Sequence, residues 1–252
     1  QYITMPPGSI YDIIVGMIFS DVFRTISSLA ALAMLAIMGL LMVGSVVGDS
    51  ATTDEQAHIP AGYSYLSERD YRLNPEHPPL IKDLAALIPY FTFKPNFPTD
   101  AKAWTTDLNG QWDMGRIFLY ESGNNPDLIL FTMRLPLMML ALLFGWLFFI
   151  WARVRYGVKV ALLALFFFCF SPTFIAHSRY VTTDLAAAFA FFIGIASFVS
   201  FLERPTWIRT GVVGLALGIA LLLKFSTVIL LPLYAMYAVL WVFLQHVGHA
   251  RL

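Results

Sequence analysis

A succession of nearly uncharged apolar runs, most of them near the length that crosses a bilayer, constrains this chain more than any other feature. About 20 consecutive apolar residues are needed for a helix to cover the hydrocarbon core. Such runs occupy residues 26–47, 128–151, 160–176, 185–202, 211–223 and 226–244. The fifth is short and reaches full length only with Trp207 and Ile208. Residues 10–23 mix apolar side chains with Asp12 and Asp21 and read as an interfacial helix rather than a span. Charged residues make up only 13% of the chain, against roughly 25% in soluble domains. Of the 16 basic and 16 acidic residues, nineteen lie between Asp49 and Arg134. The expected fold is therefore an all-α polytopic membrane protein. About six transmembrane helices are expected, with one large extracytoplasmic first loop. The chain starts at Gln1 and stops soon after an apolar run, so it is expected to be a fragment of a longer protein. Zero net charge gives no electrostatic case for nucleic acid.

Basic residues near span ends mark the cytoplasmic side. Arg24 precedes the first run, and Arg153, Arg155 and Lys159 join the second to the third. Arg204 and Arg209 join the fourth to the fifth, and Arg251 follows the sixth. With six spans these all fall on one side, so residues 1–25 are cytoplasmic or interfacial. Residues 48–127 and the turn 177–183 are then extracytoplasmic, and residues 128–252 carry spans two to six of a single module in a plasma membrane. The loop has 12 acids against 7 bases when Arg134 is counted with it.

The loop is too aromatic for a flexible linker. It holds Tyr63, Tyr65, Tyr71, Trp104, Trp112, Phe118 and Tyr120. Pro78-Pro79 reads as a helix start, with Leu80, Leu84, Leu87 and Ile88 on one face of an amphipathic helix over residues 80–93 that lies along the outer membrane surface. Residues 94–100 read as an irregular connection. Cys169, the single cysteine, sits in an apolar run and reads as a small apolar residue.

Four places carry possible chemistry. Asp54-Glu55 and His58 follow the first span. A helix would put Asp54 and His58 on one face, suited to a general base or a divalent metal bound by Asp54, Glu55 and His58. Helix capping by Thr52 with acids in the first turn is the plainer alternative. Asn74-Pro75-Glu76-His77-Pro78-Pro79-Leu80-Ile81-Lys82 fixes Glu76 and His77 between prolines, or is only a turn before a helix. His177 to Asp184 forms the turn between spans three and four, where Arg179 either snorkels to headgroups or acts in a site. Arg134 and Lys224 are lone cations beside apolar runs. All four places fall on one side of a topology derived without them.

In this order the elements Asp54-Glu55, His77-Pro78-Pro79-Leu80-x-Lys82, Met133-Arg134-Leu135-Pro136, Ser178-Arg179-Tyr180-x3-Asp184 and Leu223-Lys224-Phe225-Ser226 resemble the dolichyl-phosphate-mannose protein mannosyltransferases. Those are membrane glycosyltransferases of the C-type fold (family 39), and related polyprenyl-phosphate-sugar transferases share a looser pattern. The resemblance runs from about Asp54 to Pro232. It implies a polyprenyl-phosphate-sugar donor, a protein, lipid or glycan acceptor, and transfer with inversion on the extracytoplasmic face. Asp54 would be the catalytic base with Glu55 beside it. Arg134, Arg179 and Lys224 would face the donor phosphate, with Asp184 among them, and Glu76, His77 and Lys82 would shape the lipid-phosphate site. No cofactor is required by this scheme, although some C-type enzymes use a divalent metal. The chain departs from the pattern in having Glu76 where an Asp usually precedes His-Pro-Pro-Leu, and in lacking room for a large lumenal domain. Sugar and acceptor stay open. The rival expectation is a transporter or flippase for a lipid-linked substrate. Against it stand the absence of Gly/Pro breaks at mid-span and the placement of charges at outer ends.

Overall fold

The computed structural model describes residues 10–249, and the side chains of 25–246. Every described regular element is helical. Helix α1 runs from Ile10 to Val46. The segment 10–23 is thus continuous in helix with the first apolar run. Its side chains lie outside the described residues. The loop folds into α2 (Thr53–Ser67), α3 (Leu80–Phe91), α4 (Lys102–Thr105) and α5 (Gln111–Arg116), the last closing in a π-turn at Ile117–Glu121. Then come α6 (Pro126–Tyr156), α7 (Val158–Cys169), α8 (Pro172–Ser178), α9 (Asp184–Glu203), α10 (Trp207–Leu223) and, after a 3-10 turn at Phe225–Ile229, α11 (Leu230–His249).

Local chemistry sets these boundaries. Asn125 caps α6, Pro126 occupies its first position, and Gly157 ends it at φ +82°, a conformation that favours glycine. Among the described residues, four helices are long and apolar enough to cross a membrane: Thr25–Val46, Pro126–Tyr156, Asp184–Glu203 and Phe225–His246. The third apolar run is not the straight span expected. It breaks into α7 and α8, bent by 61°, because Ser171 caps a new helix and Pro172 opens it. This bend also removes the argument against a transporter from unbroken spans; the placement of the charges remains. Helix α10, with 17 residues, is the shorter apolar helix.

Helices α1, α6 and α7 pack together, and α9 lies between α6 and α10. Met38, Met42, Leu137, Phe144 and Phe168 lie in this core. In lipid, such contacts act by close packing rather than by expulsion of water. Gly145 permits the approach, since a methyl there would run into Leu35 and Phe168. The loop rests on the bundle through α3 against α6, and α2 packs on both α3 and α5. It has a core of its own around Tyr65, Leu73, Trp104 and Met114. Tyr63, Tyr65, Trp104 and Phe118 are buried as the aromatic content suggested, whereas Tyr71, Trp112 and Tyr120 stay exposed. Helix α3 buries Ile81, Lys82, Ala85 and Ala86 against α2 and α6 while Leu84, Leu87 and Phe91 remain open, so the apolar face meant for the membrane surface is the outward one.

The two ends of the bundle differ. At one, Arg155 pairs with Glu203, Arg153 donates to Ser28 (3.1 Å), and Arg209 donates to the Ser200 carbonyl. The folded loop sits at the other. Cysteine placed at Leu108, fully exposed, is expected to react with a membrane-impermeant maleimide on intact cells. Cysteine at Val154, 77% exposed near the basic end, should react only after permeabilisation, and Cys169 is buried and silent. The reverse labelling pattern would overturn the orientation.

Candidate active site

Helix α2 begins with a capping box: the Thr52 hydroxyl accepts from the Glu55 amide, and the Glu55 carboxylate accepts from the Thr52 amide. This fixes the first turn and turns its two acids in different directions. Glu55 is fully buried. Its Oε1 accepts from Arg134 Nε (2.8 Å) and the Val181 amide (3.0 Å), and its Oε2 accepts from Arg134 Nη2 (2.7 Å). Asp54, the next residue, is exposed and has no hydrogen bond or ion pair among the described residues. Of the adjacent pair, one carboxylate is a structural joint and the other is free to react.

Arg134 is only 1% exposed. Besides Glu55 it donates to the Asp49 and Ser50 carbonyls at 3.0 and 2.9 Å. Four of its five N–H groups are engaged with protein, which leaves one for any donor phosphate it was expected to face. Arg179 is partly exposed, and its guanidinium pairs with Asp49 (2.7 Å) and lies 4.6 Å from the Tyr180 ring. Asp49 and Tyr180, bonded to each other at 3.0 Å, are members of this joint that the sequence reading passed over. An acid at the exact end of an apolar run was the available signal for Asp49.

Lys82 also lies inside. It is fully buried, and Nζ donates to Tyr65 Oη (2.7 Å) and to Asn74 O, Asn74 Oδ1 and His77 O, each at 2.9 Å. Burial lowers its pKa to about 8, against the raising influence of Glu76 and Asp83. It anchors the proline-rich turn and does not reach the surface. Gly62 makes room for it: a methyl there would strike the Lys82 carbonyl. Asn74, at φ +51°, is the hub, with Nδ2 donating to Gln111 (2.6 Å) and Glu76 (3.1 Å). Glu76 is exposed and also accepts from Gln111 Nε2 at 2.6 Å. Partial burial acts to raise its pKa, but the bonds from Gln111 and Asn109 prevail and hold it low.

His58 is buried on the same face of α2 as Asp54, with Nδ1 3.0 Å from Asn74 Oδ1 and its ring edge-on to His77, centroids 5.1 Å apart. Burial, reinforced by the positive fields of His77 and Lys82, lowers its pKa to about 4. A metal held by Asp54, Glu55 and His58 does not fit, because Glu55 is committed to Arg134. Among the described residues no group of three or more His, Cys, Asp or Glu is placed to hold a metal.

Asp184 opens α9. Lys224 donates to it at 2.8 Å, and His177 Nδ1 lies 3.6 Å from its other oxygen. Lys224 caps the end of α10, so two helix ends bring this pair together. Asp54 and Lys224 both act electrostatically on His77, and His58 acts on Asp184. A cavity of about 300 Å³ opens beside Asp184, with His177 and Asp184 at its polar end and Phe174, Leu185 and Ala188 as apolar wall. Phe174 is shared with a second cavity of about 320 Å³ walled by Phe144, Phe148, Phe168 and Phe192. The bend between α7 and α8 places Phe174 where it borders both.

The site thus holds one uncommitted acid, Asp54, and a partly exposed lysine paired with Asp184 at the polar end of an apolar-walled cavity, in a helical bundle with spans apolar enough to cross a membrane. The family model for dolichyl-phosphate-mannose-protein mannosyltransferase matches residues 27–250. The chain belongs to this family and is a multi-pass membrane glycosyltransferase of the mannosyltransferase type. Searches of the curated proteins and of the solved structures return no match.

Proposed function

We propose that the protein, as a single membrane module, transfers mannose from a polyprenyl-phosphate-mannose donor to a hydroxyl acceptor, with inversion, at the extracytoplasmic face of the plasma membrane. The family's name favours a protein hydroxyl, and a lipid or glycan hydroxyl would present the same reacting group. The observation that carries the reading is the Lys224–Asp184 ion pair at the polar end of an apolar-walled cavity, with the unbonded Asp54 and Lys224 both within electrostatic reach of His77.

The chemistry needs one carboxylate. The acceptor oxygen attacks the anomeric carbon, its proton passes to Asp54, and the bond from that carbon to the phosphate oxygen breaks. Positioning the two reactants accounts for much of the rate, and the base for a further share. The electron pair leaves with the lipid phosphate, which needs no proton at neutral pH, unlike the sugar alkoxide leaving group of a glycoside hydrolase. Lys224 stabilises the charge that develops there, with His177 beside it. Asp184 holds the ammonium in place between turnovers, and the trough beside Phe174 takes the first isoprene units. Glu55, Arg134 and Lys82 support the site from beneath. This scheme requires no cofactor.

Lys224→Ala is expected to lower kcat/KM for the lipid donor by about a hundredfold, the usual cost of removing one group that stabilises an oxyanion, and Lys224→Arg should restore part of it. The measurement is transfer of radiolabelled mannose by purified protein. Unchanged donor use in Lys224→Ala would remove this residue from the phosphate site.

A further inference from the structure

Resting on the transferase reading, we infer that His58 is held as a neutral hydrogen-bond acceptor for a hydroxyl group of the bound substrate. Lys82 fixes the orientation of the Asn74 amide. Its ammonium can only donate, so Asn74 Oδ1, 2.9 Å away, is an oxygen and not a misplaced amide nitrogen. The same assignment satisfies Asn74 Nδ2, which donates to the carboxylate of Glu76 and the carbonyl oxygen of Gln111. His58 Nδ1, 3.0 Å from that oxygen, must then carry the proton. In the neutral ring the proton on Nδ1 leaves a lone pair on Nε2.

Protonation at Nε2 is opposed by burial and by the positive fields of His77 and Lys82. Nε2 has no hydrogen-bond partner among the described residues, yet it is not among the buried polar atoms sealed without one. The residue is 4% exposed, and Asp54, His77 and Asp184 lie within its electrostatic reach. A buried, unpartnered acceptor beside the reacting groups recognises a donor, and the donors a glycosyl-transfer site receives are hydroxyls. A phosphate, which only accepts at neutral pH, is unsuited to this nitrogen. The site thus separates the two ends of its ligand by chemistry: Lys224 takes the anion, and His58 takes a hydroxyl.

Two substitutions separate this role from a structural one. His58→Asn keeps an N–H near the Nδ1 position for Asn74 and removes the open acceptor. His58→Gln puts an amide oxygen near Nε2 and gives up the bond to Asn74. With radiolabelled polyprenyl-phosphate-mannose, His58→Asn is expected to lose tenfold or more in kcat/KM at an unchanged melting temperature. His58→Gln should recover most of that loss despite lower stability. Donors lacking single sugar hydroxyls identify the source. If one deletion costs the wild type as much as His58→Asn does, and costs that variant nothing further, the hydroxyl belongs to the sugar. If no deletion behaves so and His58→Asn raises the KM for acceptor, it belongs to the acceptor. Wild-type kcat/KM in His58→Asn overturns the inference, as does a His58→Gln variant no more active than His58→Asn. Absence of transfer by the wild type itself overturns the transferase reading on which it rests, and is distinguishable from both.

Discussion

Replacing Asp54 by asparagine is expected to reduce mannose transfer by about a thousandfold, within the range that general-base groups contribute, while leaving the melting temperature unchanged. The two halves of this expectation share one observation. Asp54 is exposed and makes no hydrogen bond or ion pair among the described residues, so the amide loses no native contact. It does lose the ability to take a proton from the attacking hydroxyl. Donor binding should persist, because the lysine and the apolar trough are untouched. Purified Asp54→Asn protein assayed for transfer, donor binding and thermal unfolding checks all three. Turnover within a few-fold of wild type would mean that another group receives the proton.

The neighbouring acid should behave in the opposite way. Arg134→Met leaves the Glu55 carboxylate fully buried without its cation, and breaking a buried pair from one side costs roughly 3–5 kcal/mol. That is a large share of the 5–15 kcal/mol by which folded domains are stable. The expected result is a sharp drop in folded yield and melting temperature, with activity lost in proportion to folded protein. The double variant Glu55→Gln with Arg134→Met removes both charges and should recover much of the stability. A melting curve of Arg134→Met that matches wild type would show that the pair does not hold the loop to the bundle.

Set side by side, these variants show what the sequence could and could not reveal. The apolar runs, and the gathering of Arg153, Arg155 and Arg209 at one end of the bundle, were legible because bilayer thickness and charge bias act on local stretches. The bend at Ser171-Pro172 was also legible in principle: a capping serine before a proline is a helix start, but a hydrophobic run was allowed to outweigh it. Helix α2 was harder to see, since Pro60 lies inside it. The roles of Glu55, Arg134 and Lys82 were not legible. Each stands in a motif that suggests chemistry, and only the pairing of Glu55 with a residue 79 positions away shows that its charge is already neutralised inside the protein. Asn74 was readable as a turn residue, but its part in joining Lys82, His58 and Gln111 depends on contacts that span the folded loop.

The joint between Glu55 and Arg134 has a consequence for distance. Arg134 lies two turns into α6, about 12 Å along its axis from Pro126 at 1.5 Å per residue. Through Glu55 it fastens the first turn of α2 to that level of a membrane-crossing rod. Asp54 is therefore set at a constant height relative to the bilayer, as a mark is set on a gauge. The phosphate of a lipid-borne sugar has its own preferred depth, imposed by the water boundary. Enzyme and substrate are each registered against the same planar reference before they meet, so much of the search along the vertical axis is over before binding begins.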